Sequence, residues 1–314
     1  MNNLAGLKAY RFRIPLKQPI GLKGRIYEER EGILLKRDGQ WSEASPLPGF
    51  SRETIDEVVD ALRGKRTPPP ALEFALSTLD ASFSAPLETP INSLLLGNRD
   101  EVLAQANACR ADIPQAVKMK VGQRSTAEDA ELVRQVCECL PEAVSVRLDA
   151  NQTWKFEAAV DFARRTSDLK KLEYIEEPLR EPERLEELCS QTAIKYALDE
   201  TLVREQALDK WPSADALICK PTLLGGRAAI ERLAATGKRI VFSAAFESGV
   251  GIARVAQLAR EFSPATPAGL DTLAWLSADL LCQSPIKHQG MLSFPSATMV
   301  DPAALEEFAT EIQI

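Results

Sequence analysis

The sequence predicts a parallel (β/α) barrel that follows a smaller α+β unit. From about residue 115 onward, short apolar runs rich in β-forming residues alternate with amphipathic helical stretches, a pattern typical of parallel βα architecture. The runs end 21 to 29 residues apart, which is about the length of chain that one βα unit needs. The predicted strands end near Lys120, Asp149, Glu176, Asp199, Lys220 and Ser243.

The helices between these strands are marked by their ends. Ser125 and Glu128 form a capping box, in which each side chain satisfies a free backbone donor. A second helix is predicted from about Lys155, and a third from Arg227 to a glycine cap at Gly237. Because the strand–helix unit recurs at least six times, the pattern favours a barrel.

The first part of the chain has a different organisation. Residues 10–14 and 32–36 are predicted strands around a glycine-bearing loop at residues 18–25, and residues 54–62 and 70–85 are predicted helices. We expect this α+β unit to cap the barrel, with the C-terminal segment returning to it. The expected boundaries are 1–95 for the cap, 96–284 for the barrel and about 285–314 for the returning segment.

The composition excludes several classes of function. A net charge of −7 and a pI near 5.1 offer no basic surface for nucleic acid or for an acidic membrane. The N-terminus lacks a basic segment followed by an apolar run, and no uncharged apolar stretch reaches about 18 residues. We therefore expect a cytoplasmic protein without nucleic-acid or membrane partners, and its oligomeric state stays open.

Histidine and cysteine chemistry is equally disfavoured. His288 is the only histidine, and a solvent-exposed turn is expected for it. Ser-His catalysis, Cys-His catalysis and most zinc sites need histidines placed for the purpose. The six cysteines are scattered without a C-x-x-C pair, and Cys137 and Cys139 point in different directions on a predicted helix. We expect them to be reduced core residues.

Charged residues close five consecutive predicted strands, at the barrel end where active sites form. Lys118 and Lys120 lie two apart on one strand, so both point to the same face, and either face of a barrel strand is expected to be largely buried. The next three strands end in carboxylates, which are very costly to desolvate without a partner. Oxygen-only ligation by Asp149, Glu176 and Asp199 suits Mg²⁺, with Mn²⁺ as a substitute, and disfavours zinc.

Lysines flank this triad on both sides, Lys120 before it and Lys220 after it. An amine held near a cation and beside Lys118 is expected to have a lowered pKa, which would let its neutral form act as a base near neutral pH. A network of buried ion pairs that only stabilises the fold is the alternative. Five charged residues at five consecutive strand ends favour a catalytic site.

At these residues the sequence resembles the enolase superfamily, and within it the o-succinylbenzoate synthases of menaquinone biosynthesis. The resemblance covers most of the chain and implies a modified (β/α)7β barrel of TIM type with an α+β capping domain. The shared motifs are K-x-K at 118–120, R-L-D-A-N at 147–151, I-E-E-P at 175–178, L-D-E-T at 198–201 and K-P-T at 220–222. Two segments resemble these synthases in particular, S-P-L-P-G-F-S at 45–51 and G-L-D-T at 269–272.

The resemblance implies Mg²⁺ on Asp149, Glu176 and Asp199, Lys120 as the base and Lys220 on the opposite face of a small carboxylate substrate. Enolase-superfamily sites in general pair a lysine or histidine base with Mg²⁺. The implied reaction is the syn-dehydration of 2-succinyl-6-hydroxy-2,4-cyclohexadiene-1-carboxylate to 2-succinylbenzoate. It would proceed by removal of the α-proton and a metal-stabilised enediolate.

Contacts to the substrate or to the metal ligands are implied for a further set of residues. Gly21 and Gly24 are alternatively ordinary turn glycines. Two departures from the family pattern concern the substrate pocket: Ser42 replaces a usual glycine, and Ala244 and Ala245 replace a serine-rich stretch. The further set is Lys118, Arg147, Asn151, Ser243, Ser248, Gly249, Gly21 and Leu22.

Other functions fit the same pattern. An N-acylamino acid racemase or dipeptide epimerase of the same superfamily shares the proton abstraction and would use two flanking lysines equally well. A Schiff-base aldolase also places a lysine at a barrel strand end. A non-catalytic barrel kept as a binding scaffold would be expected to lose at least one of the five charged strand ends, and none is lost.

Overall fold

The computed structural model describes residues 5–22, 24–81, 83, 86–205, 208–295 and 300–314. The N-terminal segment forms β1 (Lys8–Leu22), β2 (Arg25–Arg37), β3 (Gln40–Ala44), α1 (Ile55–Leu62), α2 (Pro70–Leu79) and β4 (Leu87–Pro90). The central segment forms β5 (Ser93–Leu95), α3 (Arg99–Ala108), β6 (Ala116–Lys120), α4 (Thr126–Cys139), β7 (Ser145–Asp149), α5 (Phe156–Thr166), β8 (Leu172–Glu176), α6 (Leu185–Thr192), β9 (Tyr196–Leu198), α7 (Glu200–Glu205), β10 (Ala216–Cys219), α8 (Pro221–Leu224), α9 (Arg227–Ala234), β11 (Arg239–Phe242) and α10 (Gly249–Phe262). The C-terminal segment forms β12 (Ile286–His288), β13 (Met291–Phe294), α11 (Pro302–Phe308) and β14 (Ala309–Ile312).

A four-stranded antiparallel sheet in the order β14-β1-β2-β3 organises the N-terminal unit, so the end of the chain pairs with the first strand. The β1–β2 hairpin is longer than predicted, and the predicted loop at residues 18–25 is wrong except at its tip. Leu22 pairs with Arg25, which leaves a tight turn at Gly24 with φ +79°. The pairing continues this far because Ile20 is buried against the core and a register shift re-aligns the two strands before it.

Both helices predicted for this unit are present. α1 begins after Thr54, which forms a capping box with Glu57, and α2 ends at Leu79. The predicted end of the second helix at residue 85 is wrong, because Asp80 is the C-cap of α2 and residues 81 and 83 are not helical. Residues 82, 84 and 85 lie outside the described residues, as does residue 23 of the predicted loop. The two helices pack against the sheet and bury a small apolar core of their own.

Seven parallel strands form the second sheet, in the order β11-β10-β9-β8-β7-β6-β5. Residues 268 and 269 close it into a barrel: Ala268 bridges in parallel to Ile91, just before β5, and Gly269 bridges in parallel to Ser243, just after β11. The predicted (β/α)7β barrel is therefore confirmed, with a very short eighth strand. The six predicted strand ends agree with the observed ends to within one residue.

The predicted helix starts in the barrel are confirmed, but the glycine cap predicted for α9 is wrong, because Ala235 is the C-cap. Ser125 caps α4, where its Oγ accepts the Glu128 N–H and the Glu128 carboxylate accepts the Ser125 N–H at 3.0 Å. α5 begins directly after Lys155. α9 begins at Arg227 and ends at Ala234, shortly before the left-handed Gly237 with φ +70°. Each helix returns the chain to the floor of the barrel, so the strands all end at the same mouth.

The barrel interior is filled in layers. The lower layer is apolar and aromatic and consists of Tyr174, Ala197, Ala216, Ile218 and Val241. Two residues further along a strand the side chain returns to the same face. The layer at the mouth therefore consists of Glu176, Asp199, Lys220 and Ser243 on these strands, together with Asp149 and the lysines of β6.

The C-terminal segment pairs β13 with β4 and leaves β12 exposed. His288 is exposed as expected, although it ends a short strand just before the turn. All six cysteines are free, but the expectation of a core position is wrong for Cys282, which is exposed because it lies in an irregular surface segment. Cys139 and Cys189 are half-buried. Among the described residues, no helix combines the length and apolar character needed to cross a bilayer.

Candidate active site

The three predicted carboxylates lie on neighbouring strands, at the ends of β7, β8 and β9. In the sheet register, Lys120 lies beside Asp149, and Asp149 lies beside Glu176. Asp199 follows two residues after Ala197, the partner of Glu176. The exposed fractions are 6% for Asp149, 2% for Glu176 and 3% for Asp199, so all three carboxylates have lost most of their water.

Two lysines compensate this buried charge. The Nζ of Lys118 lies 2.5 Å from Glu176 Oε2 and 3.0 Å from Asp149 Oδ2. The Nζ of Lys220 lies 2.6 Å from Asp199 Oδ2. Two ammonium groups are therefore in direct contact with three carboxylates.

The pKa shifts of Glu176, Lys118 and Lys220 reflect the burial of several negative charges close together. Burial raises the pKa of Glu176 to about 7, and the charges of Asp149 and Asp199 add to the rise while Lys118 opposes it. Burial would lower the pKa of Lys118 and of Lys220, but the carboxylates outweigh burial and raise both. The lowered pKa expected for the flanking lysines is thus wrong for Lys220, because its ammonium group lies against Asp199.

The donor set at the mouth fits a hard divalent cation. Three buried carboxylates on adjacent strands offer only oxygen atoms, and the buried Oε2 of Glu200 beside them has no hydrogen-bond partner in the described part of the chain. As the side chains stand, no three acidic, histidine or cysteine residues among those described converge closely enough to coordinate one ion. Lys118 and Lys220 draw the carboxylates into ion pairs, so a bound cation would have to displace part of these contacts.

Lys120 differs from Lys118, although both lie on the same face of β6. The Lys120 side chain is exposed, whereas that of Lys118 is 17% exposed. The expectation that both are largely buried is wrong for Lys120, because it lies at the last position of the strand, one layer closer to solvent. Within the described part of the chain, the Lys120 side chain forms no hydrogen bond and no ion pair, although its charge helps to lower the pKa of the nearby Asp149. Its amine is therefore available at the mouth.

Arg147 and Asn151 occupy different depths. The Arg147 Nε donates to Glu173 Oε2 at 2.7 Å, and its guanidinium lies over the Tyr174 ring. These contacts hold Arg147 in the floor of the barrel, beneath the carboxylates. Asn151 lies at the mouth, where its backbone N–H donates to Asp149 Oδ1 at 3.1 Å. Of the two, only Asn151 contacts a member of the triad.

Glu177 is a residue of this site that the sequence analysis missed. It follows Glu176, has φ +43° and is fully buried. Its carboxylate accepts hydrogen bonds from the backbone N–H groups of Asp199 and Thr201, from the Thr201 hydroxyl and from the Gln152 amide. A signal was available in the sequence: adjacent residues of a strand point to opposite faces, so two consecutive glutamates cannot both face the mouth.

Ser248 and Gly249 lie at the start of α10, where carboxylates of the chain itself already accept hydrogen bonds from their N–H and O–H groups. The carboxylate of Glu43, from β3, accepts the N–H groups of Ser248 at 3.1 Å and Gly251 at 3.0 Å, and also the Ser248 hydroxyl. Asp279 accepts the Gly249 N–H at 2.7 Å. A helix N-terminus attracts anions, but two internal carboxylates fill this one. Ser248 and Gly249 are therefore not brought to the mouth as free donors.

The remaining predicted contacts lie at the rim. Ser243 is half-buried and its Oγ donates to the Gly269 carbonyl at 3.4 Å, beside the strand that closes the barrel. Gly21 is exposed and Leu22 half-buried, and both pair with β2 near the hairpin tip. Gly21 has an ordinary strand conformation, so of the two glycines only Gly24 is a turn glycine. Substrate contacts by Ser243, Gly21 and Leu22 stay predictions.

The departures from the family pattern are absorbed by packing, within the cap for Ser42 and between cap and barrel for Ala245. The Ser42 Oγ lies 2.8 Å from Thr78 Oγ1, which ties β3 to α2. Ala244 and Ala245 are buried, and the Ala245 carbonyl accepts a hydrogen bond from the buried Arg30 at 3.3 Å. None of these three side chains adds a charged group to the mouth.

Comparison with known proteins identifies relatives for both parts of the chain. A family model described as "Enolase C-terminal domain-like" matches residues 101–298, and one described as "MenC, N-terminal domain" matches residues 5–67. The o-succinylbenzoate synthase of Haemophilus influenzae is 31% identical over 96% of this chain and 97% of its own length. That of Yersinia enterocolitica is 32% identical over 88% of this chain and 93% of its own.

Solved structures agree with these relatives. The o-succinylbenzoate synthase of Thermosynechococcus elongatus, solved with magnesium in the active site, is 25% identical, with a TM-score of 0.76 over 88% of this chain and 95% of its own. The L-Ala-D/L-Glu epimerase of Bacillus subtilis, solved with a bound substrate, is 20% identical, with a TM-score of 0.77 over 93% of this chain and 96% of its own. At that identity the likeness concerns the fold alone.

We predict that Glu43→Gln destabilises the protein by about 1–3 kcal/mol, because an amide nitrogen would meet donors that are buried at the start of α10. The measurement is urea unfolding followed by circular dichroism. Glu28→Gln, on the exposed part of β2, is the matched control and should change stability little. Equal stability of the two variants would contradict the role assigned to Glu43.

Proposed function

The chain belongs to the o-succinylbenzoate synthase family of the enolase superfamily, and we propose that it catalyses the syn-dehydration of 2-succinyl-6-hydroxy-2,4-cyclohexadiene-1-carboxylate to 2-succinylbenzoate. The observation that supports the proposal most strongly is the contrast at the mouth: Lys120 has a free amine beside three buried carboxylates, and Lys220 lies on their other flank. The substrate is accordingly a small-molecule carboxylate.

Asp149, Glu176 and Asp199 are the residues that would hold Mg²⁺, and Mn²⁺ would bind in the same place. The bound ion would supply positive charge that stabilises the negative charge developing on the substrate carboxylate. The buried triad supports this assignment, since its carboxylates outnumber the ammonium groups in contact with them. Asn151 holds Asp149 in place through its backbone N–H.

Lys120 acts as the base. Its neutral amine removes the proton from the ring carbon that bears the carboxylate, and the electron pair of that C–H bond passes to the carboxylate as an enediolate. This pair then returns to form the new double bond of the ring. The bond from the ring to the hydroxyl oxygen then breaks, and the proton on Lys120 passes to the departing hydroxide, which leaves as water. One residue performs both transfers because proton and hydroxyl leave from the same face of the ring.

Lys220 and Lys118 act as fixed positive charges. Because the carboxylates raise their pKa, both remain protonated at neutral pH. Lys220, on the opposite face of the ring from Lys120, stabilises the electron-rich ring through its ammonium group. Lys118 stays against Glu176 and Asp149, where it limits repulsion between the two carboxylates.

A racemase or epimerase of the same superfamily is the second candidate, and one observation favours it: lysines flank the triad on both sides, as racemisation requires. Incubation with both kinds of substrate decides between them. We expect loss of the diene absorbance and no racemisation of N-acylamino acids or dipeptides. Racemisation without dehydration would replace the proposed reaction by the second candidate.

We predict that Lys120→Ala lowers kcat by about 10³-fold or more, since general-base catalysis supplies a factor of this order. Mg²⁺ binding, followed by calorimetry, should be retained because Lys120 is not a ligand. Lys170→Ala, an exposed lysine at the opposite end of the barrel, is the control and should keep full activity. Substantial residual activity of Lys120→Ala would remove Lys120 from its assigned role.

Removal of divalent ions is expected to abolish dehydration. EDTA should inactivate the enzyme, and Mg²⁺ or Mn²⁺ should restore it, because the substrate carboxylate otherwise meets three acidic side chains. Borohydride together with substrate should leave the protein unmodified. Full activity in EDTA with a borohydride-trapped lysine would instead indicate a Schiff-base aldolase.

A further inference from the structure

Three carboxylates that share one ion must keep their relative positions, yet each comes from a different strand end. The ends of β7, β8 and β9 are connected to the rest of the barrel by separate loops and helices. Asp199 lies beyond the last hydrogen-bonded residue of β9, so the strand pairing alone does not fix it. A separate interaction has to hold these strand ends together.

Glu177 supplies such an interaction. One carboxylate oxygen, Oε1, accepts the backbone N–H of Asp199 and that of Thr201, both at 2.8 Å. The other, Oε2, accepts the Thr201 hydroxyl at 2.8 Å and the Gln152 amide at 2.7 Å. Gln152 belongs to the loop after β7 and Thr201 to the segment after β9, so a single side chain from the end of β8 connects all three ends.

The backbone of Glu177 reinforces the same connection. Its N–H donates to the Ala197 carbonyl on β9 at 3.1 Å, and its carbonyl accepts the Gln152 N–H at 2.8 Å. Its φ of +43° turns the side chain away from the mouth while Glu176 points into it. A non-glycine residue in this left-handed conformation is maintained against a steric cost, which is common where a site requires it.

We propose that Glu177 is a positioning residue that sets the spacing of Asp149, Glu176 and Asp199 for the metal ion. This inference rests on the proposed metal site. Glu177 is buried and its side chain points away from the mouth, so it is not itself a ligand. It acts on the ligands through the backbone of Asp199 and the loops on either side, and loss of such a supporting hydrogen bond typically costs about 10- to 100-fold in metal affinity.

The test compares Glu177→Gln with Glu173→Gln. Glu173 lies on β8, four residues before Glu177, at the floor of the barrel, where it pairs with Arg147 and Arg239. Either substitution removes one carboxylate that is mostly or fully shielded from water, but only Glu177→Gln changes the support of the triad. An amide at position 177 keeps an oxygen for the two backbone N–H groups, so the fold is expected to survive.

Mg²⁺ affinity is measured by calorimetry on the folded proteins, and thermal unfolding without metal is recorded in parallel. We expect Glu177→Gln to bind Mg²⁺ about 10-fold more weakly or worse, and Glu173→Gln to bind within about twofold of the unmodified protein despite a lower melting temperature. Affinity of Glu177→Gln within twofold of the unmodified protein, or equal losses in both variants, would overturn the inference.

If Glu177→Gln fails to fold, Thr201→Val carries the test, because it removes one donor to Glu177 and should weaken Mg²⁺ binding by about threefold or more; unchanged binding would overturn the inference. If the unmodified protein itself binds no Mg²⁺, the proposed metal site fails and the inference with it. Failure of the inference alone is distinguished by normal binding in the unmodified protein.

Discussion

The structure depends on how the barrel accommodates several buried charges of the same sign at one mouth. Asp149, Glu176 and Asp199 are almost fully removed from water, and isolated carboxylates in such a position would be too costly to ionise. Lys118 and Lys220 offset part of the cost of these buried negative charges through direct ion pairs. In the proposed function a divalent cation would offset the rest, so the charges that the fold has to compensate would also bind and activate a carboxylate substrate.

The cap and the barrel are joined by polar interactions buried at long sequence separation. Glu43 of β3 binds the start of α10, and Arg30 of β2 donates to the carbonyls of Ala245 and Phe246 in the loop after β11. These contacts fix the loop between the last barrel strand and its helix against the cap. The cap therefore positions one wall of the mouth through charged groups that are themselves remote from the chemistry.

Much of the fold and the centre of the site followed from local pattern. A strand that ends in a charged residue is recognisable because apolar residues precede it and helix caps such as Ser125 follow. The eighth strand, which closes the barrel, was not recognisable in the sequence. It consists of residues 268 and 269 only, which are too few to show a β pattern, and their bridges to Ile91 and Ser243 define it. The exposure of Lys120 and the filled start of α10 likewise depend on tertiary position: Glu43 and Ser248 are 205 residues apart.

The central claim is that the three carboxylates share one ion, with Lys120 and Lys220 on opposite faces of the substrate. A crystal structure of the protein with Mg²⁺ and 2-succinylbenzoate tests it most directly. We expect one ion at about 2.0–2.1 Å from an oxygen of each of Asp149, Glu176 and Asp199, with the product ring between the two lysines. Dispersed carboxylates without a shared ion, or both lysines on one face of the ring, would contradict the account.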